Sequence, residues 1–141
     1  MDKYLYKDLT ERIIGIAIEV HKELGPGLLE NTYKQCLAYE LKKANLNIQL
    51  EINCPIIYKE VKISCGFMID LLIEDKIIVE LKCVDDIIPI HEAQLLTYLK
   101  LYKKELGLII NFNEIYLRDG IRRLVLQKPL RSLAFSNKVG G

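Results

Sequence analysis

Two aliphatic runs in the middle of the chain each contain a carboxylate: residues 67–73 read FMIDLLI and residues 77–82 read IIVELK. Charged side chains belong at surfaces, so Asp70 and Glu80 inside such runs demand a reason. The runs are short and β-favouring, and Glu74, Asp75 and Lys76 make a polar turn between them, which reads as a hairpin. Side chains alternate faces along a strand, which sends Glu80 and Lys82 to one face and Val79 and Leu81 to the other. Asp70 shares the face of Glu80 when the two are paired directly. That register puts Ile73 opposite Ile77 and leaves a three-residue loop. A two-residue loop would send the carboxylates to opposite faces unless a bulge intervened.

Two carboxylates about 5 Å apart repel by roughly 3 kcal/mol at an effective dielectric of about 20, which is about two pKa units. Lys82 offsets part of this repulsion, and a divalent cation offsets more. Hard oxygen donors with positions left for water suit Mg²⁺ or Mn²⁺. A structural ion pair between Lys82 and the acids is the plainer alternative, but it costs desolvation without an evident gain in stability.

The rest of the chain supplies the frame. Residues 10–24 carry Ile13, Ile14, Ala17, Ile18 and Leu24 at helical spacing. Gly25 can end that helix, and Pro26 suits the first turn of the next. Residues 28–44 form a second amphipathic helix, with Leu29, Tyr33, Cys36, Leu37 and Leu41 on its apolar stripe and Lys42 and Lys43 near its end. An isoleucine-rich stretch, 48–59, reads as a first strand; after a turn near Lys59 and Glu60, the strand that carries Asp70 is expected over 61–73. In the first of these, Pro55 marks an edge strand or a bulge. A helix over 91–104 carries Leu95, Leu99 and Tyr102 as its core stripe. After it, the almost wholly apolar LGLIINF reads as a strand buried on both faces. Strand, helix, strand in that order predicts a parallel pair, and residues 121–126 add a short last strand. The expected fold is α/β, a mixed sheet flanked by helices in the order α-α-β-β-β-α-β.

The 141 residues suffice for one domain, expected over 1–127, with a basic tail at 128–141. The net charge of +1 excludes a strongly basic nucleic-acid coat. From Arg118 onward, however, six basic residues (Arg118, Arg122, Arg123, Lys128, Arg131 and Lys138) face one acid, Asp119. That segment is either solvated or a phosphate-binding surface. Cys36, Cys54, Cys65 and Cys83 show no metal-knuckle spacing and read as scattered reduced thiols. No leader or bilayer-spanning run is visible, so the expectation is a cytoplasmic protein with no membrane partner.

Asp70, then Glu80-x-Lys82 ten residues later in a hairpin, with helices before and after, resembles the PD-(D/E)xK nuclease superfamily. Gly27, Glu30 and Tyr33 match the GxxExxY pattern of one of its branches, and Gln94 and Tyr98 match a QxxxY-like helix motif. The likeness runs over about 14–125; the proline before the aspartate is replaced by Ile69. The resemblance implies a restriction-endonuclease-like core and a Mg²⁺- or Mn²⁺-dependent nuclease acting on DNA or RNA. It also implies that Asp70 and Glu80 are metal ligands, with the main-chain carbonyl of Leu81 as a further ligand and Glu30 completing the acidic cluster. Lys82 would position or activate the attacking water, or stabilise charge in the transition state. Gln94 and Tyr98 would orient Lys82 or the substrate phosphate.

Each of these residues has a plainer role beside the functional one. Glu30 at a helix start favours the macrodipole by a few tenths of a kcal/mol in any case. Tyr33 suits packing, Gln94 and Tyr98 suit a helix-surface contact, and His91 suits a helix start. At the level of the whole chain, the alternatives are a catalytically silent module binding nucleic acid or protein, with Leu130, Leu133 and Phe135 available for docking, and a homodimer whose two sites act together.

Overall fold

The computed structural model describes residues 5–127. The tail at 128–141, with Lys128, Arg131, Lys138 and the docking candidates Leu130, Leu133 and Phe135, lies outside the described residues. Two helices come first, α1 (Lys7–Leu24) and α2 (Glu30–Lys43), then five strands: β1 (Ile48–Asn53), β2 (Ile56–Tyr58), β3 (Val61–Ile63), β4 (Met68–Ile73) and β5 (Ile77–Lys82). Helix α3 (Pro89–Tyr102), strand β6 (Leu106–Asn111), a 3-10 turn (Leu117–Gly120) and strand β7 (Ile121–Val125) complete the described residues. Five strands form one mixed sheet in the order β1-β4-β5-β6-β7. Among the described residues only β5 and β6 are parallel, and α3 joins them, as strand-helix-strand order predicts.

The sheet separates two apolar cores. On one face Leu71, Ile73, Ile77, Val79, Leu108 and Ile110 pack under α1 and α2. On the other, Ile69, Leu72, Ile78 and Ile109 pack under Leu95, Tyr98 and Leu99 of α3. All six residues of β6 are buried, as an unbroken apolar run requires, although β5 rather than β6 holds the centre of the sheet. Gly107 lets α3 approach: a Cβ there would stand 2.8 Å from Cδ1 of Leu95.

Three expectations need correction. The stretches 48–59 and 61–73 are not single strands. Each breaks in two, and β2 pairs with β3 as a separate two-stranded hairpin that leaves Ile57, Tyr58 and Val61 exposed. Pro55, which has no N–H to give a ladder, sits at the first break. The second helix starts at Glu30 rather than at 28, because Gly27 takes a left-handed φ of 98° and the chain is still extended at Leu29. Helix α3 runs two residues earlier at both ends than 91–104, with Pro89 in its first turn and Lys103 left-handed at its end.

Candidate active site

The β4–β5 hairpin has the three-residue loop and the even register: Ile73 pairs with Ile77, Leu72 with Ile78 and Leu71 with Val79. Glu74 and Asp75 turn the chain with φ of 55° each. Regular pairing stops at Leu71 and Val79, and the carboxylates take over the ladder. Asp70 N–H donates to Oε2 of Glu80 at 2.8 Å, and Leu81 N–H donates to Oδ2 of Asp70 at 2.9 Å. Each acid is thus clamped by a backbone donor from the neighbourhood of the other, and both are buried.

Burial and the charge of Asp70 push the pKa of Glu80 from 4.5 up to about 8, against the opposing pull of the Asp70 N–H bond and of Lys82. Glu30, the first residue of α2, is exposed as a residue, yet partial burial of its carboxyl and then Asp70 raise its pKa, while Lys82 and Lys34 lower it. Glu30 therefore joins the pair through the electrostatic field. Among the described residues, no three Asp, Glu, His or Cys side chains converge in metal-holding geometry.

Tyr33 explains how the loop before α2 is held. Its ring is fully buried and stacks on Phe112 with centroids 4.6 Å apart. Its hydroxyl donates to the Gly25 carbonyl at 2.5 Å and accepts from Leu28 N–H at 3.1 Å. Tyr33→Phe leaves both backbone groups without this partner, so we expect about 1–3 kcal/mol of lost stability, read by urea unfolding, together with a looser Glu30. His21 ties the end of α1 to the same region by a 2.7 Å bond between Nε2 and the carbonyl of Glu114.

Tyr98 is buried and lines, with Gln94, Phe67, Ile90 and Thr97, a groove of about 260 Å³ between α3 and the β2–β3 hairpin. Burial, then Glu80, Cys54 and Asp70, push its phenol up to about 12, so the hydroxyl keeps its proton. His91 starts α3, where its Nδ1 accepts from Ile88 N–H at 3.1 Å. Cys83 packs on the α1–α2 side, opposite to Lys82, as strand alternation demands. In the described part of the basic segment, Arg122 bonds to the carbonyls of Asp119 and Ile121, and Arg123 to that of Leu5.

Sequence reasoning missed three residues of this region. The ion pair of Asp70 is with Lys34, not Lys82: Lys34 Nζ lies 3.2 Å from Oδ1 of Asp70 and 3.1 Å from Oε2 of Glu51. Lys34 stands one helical turn after Glu30, a spacing that could have flagged it. Asn111, fully buried, pins the loop after β5 by bonding both backbone groups of Val84 through its amide.

No curated protein and no solved structure matches the chain. A family model described as PD-(D/E)XK nuclease superfamily matches residues 7–124, from the first turn of α1 to the penultimate residue of β7. The matched span contains the clamped Asp70–Glu80 pair, Lys82 beside it and all of the five-stranded sheet but Val125, and it leaves out only the ends of the chain. On that match this chain belongs to the PD-(D/E)XK nuclease superfamily.

Proposed function

We propose that the chain is a divalent-metal-dependent nuclease that hydrolyses phosphodiester bonds in DNA or RNA. The observation that carries this reading is the buried Asp70–Glu80 pair, oriented by reciprocal backbone bonds, with Lys82 next but one on the same strand. The donor set fits Mg²⁺ or Mn²⁺. It offers hard carboxylate oxygens, and Glu80, pushed up to about 8, needs a neighbouring cation to stay ionised at neutral pH. Asp70 and Glu80 would hold the ion. The Leu81 carbonyl leaves β5 on the same side as the Leu81 N–H that binds Asp70, and it would be a further ligand. Glu30 would complete the cluster by its charge or by a bridging water. When bound, the cation supplies Lewis acidity to the scissile phosphate and acidifies the attacking water.

The side chains do the rest. Lys82 places a positive charge beside the reacting phosphate, where it orients water or stabilises the charge that develops. Tyr98 keeps its proton and can donate a hydrogen bond, and Gln94 on the same groove can donate and accept. At the tip of the β2–β3 hairpin, Lys59 Nζ lies 5.4 Å from the Tyr58 ring centroid, a cation and an aromatic face suited to a nucleic-acid strand. Gly27, Glu30 and Tyr33 support placement in the GxxExxY branch, and the family match over residues 7–124 supports reading 1–127 as one domain. The four free thiols fit a reducing cytoplasmic setting. Among the described residues no helix is long and apolar enough to cross a membrane. A homodimer whose two sites act together is part of this reading.

The exposed Ile57, Tyr58, Val61 and Ile90 favour one second reading, a silent binding module that keeps the nuclease fold. One experiment separates the two. Single- and double-stranded DNA and RNA are incubated with the protein in Mn²⁺, in Mg²⁺ and in EDTA. Cleavage in metal that EDTA stops supports the nuclease; intact substrates under every condition favour the binding module.

A further inference from the structure

Strands β1 and β4 both lose their alternation at the same level. Along β4, Leu71 and Ile73 pack under α1 and α2, whereas Ile69 and Leu72 pack under α3, so the faces slip at Asp70. Along β1, Ile48 and Leu50 lie on the α1–α2 side and Ile52 on the α3 side, so the faces slip at Glu51. Leu50 pairs with Leu71 and Ile52 with Ile69, which places Glu51 and Asp70 level with each other. Glu51 takes a left-handed φ of 56°, a conformation that a residue with a side chain rarely adopts. The paired irregularity brings two carboxylates to one ammonium: Lys34 reaches Glu51 at 3.1 Å and Asp70 at 3.2 Å. The Lys34 and Asp70 side chains are 12% and 11% exposed, whereas that of Glu51 is 40% exposed.

We propose that Lys34 is a positioning residue that neutralises Asp70 while no divalent cation is bound and competes with that cation for Asp70, with Glu51 as the acceptor to which the ammonium retreats. This rests on the reading of Asp70 as a metal ligand. The two oxygens are nearly equidistant from Nζ, so the transfer needs only a small movement of the lysine head. Glu51 is the wetter partner and holds the ammonium without adding a buried charge. The device keeps a buried carboxylate paired in the empty site and tunes how tightly the site takes up its ion.

The test is Mn²⁺ titration by calorimetry on the full chain, with thermal melting as a check on folding. Lys34→Met should tighten Mn²⁺ binding and Glu51→Gln should weaken it, each by about tenfold, within the usual range of coupling between two sites. A general effect of charge would give the same two signs, so the decisive measurement is the double variant. With Lys34 replaced, Glu51 has no ammonium to accept, and Glu51→Gln should leave Mn²⁺ affinity unchanged in that background. An equal weakening in both backgrounds overturns the proposal. So does an unchanged affinity in Lys34→Met, or in Lys34→Gln should the methionine variant not fold. Wild-type protein that binds no Mn²⁺ at all sinks the metal reading itself, a result distinct from binding that ignores Lys34 and Glu51.

Discussion

Lys82→Ala should reduce phosphodiester hydrolysis by about 10²–10³-fold, the effect of deleting one preorganised electrostatic stabiliser, and leave the protein folded and able to bind Mn²⁺. The reason lies in what holds this lysine and what it touches. Its backbone is fixed by the parallel pairing of β5 with β6, where Lys82 lies beside Asn111 and its carbonyl accepts from Phe112 N–H at 2.9 Å. Those bonds survive alanine. Its side chain is only partly buried, so little packing is lost, and its charge acts on Glu80 and Glu30 from the neighbouring position. The ion pair of Asp70 is with Lys34 and would be untouched. Asp70→Ala should cost at least as much activity and should also abolish Mn²⁺ binding, because it removes the carboxylate itself. Gel assays on labelled DNA and RNA, run beside Mn²⁺ calorimetry, separate the two outcomes. Wild type and Lys82→Ala cutting at equal rates would end the assignment of Lys82.

The second large effect is on stability and its pH dependence. Burial and Asp70 raise the pKa of Glu80 from 4.5 to about 8 in the folded, metal-free protein. An acid raised in this way binds its proton more tightly folded than unfolded, so between those values the folded state carries the extra proton. Stability then falls as pH rises from about 4.5 to about 8 and levels off above that. The full rise corresponds to at most about 5 kcal/mol, at about 1.4 kcal/mol for each tenfold change. Glu80→Gln keeps an oxygen for the Asp70 N–H and removes the charge. The metal-free variant should therefore match wild type near pH 5, be more stable than wild type by a few kcal/mol at pH 8, and show a flatter profile. Urea unfolding in EDTA across that pH range measures it. Adding Mn²⁺ at pH 8 should restore wild type and leave the variant unchanged. A wild-type profile that rises from pH 5 to 8 would contradict the account.

Much of the site was readable in the order of residues, because strand geometry is nearly rigid. A polar turn of three residues between two aliphatic runs leaves one register that brings Asp70 level with Glu80, and the hairpin has it. Helical spacing located α1, α2 and α3 to within a few residues, and an unbroken apolar run marked β6 as buried on both faces. Other features escaped because their cause is not local. Whether 48–59 stays one strand depends on a sheet partner running out, and β2 and β3 pair with each other instead. The start of α2 depends on the conformation of Gly27 and on a tyrosine hydroxyl reaching back to Gly25.

The sequence by itself determined which residues carry charge into an apolar sheet, their spacing, and the alternation that puts Glu80 and Lys82 on one face. These follow from a period of two along a strand and need no knowledge of what lies across it. Only the tertiary structure decided which cation meets Asp70. Lys34 and Glu51 lie far from Asp70 along the chain, and beyond the one-turn spacing of Lys34 from Glu30 nothing in their neighbours distinguishes them from solvated surface charges. They meet because β1 and β4 kink at the same level while α2 crosses above. The electrostatic energy of a charge depends on distance and burial in space, and neither is written in local order.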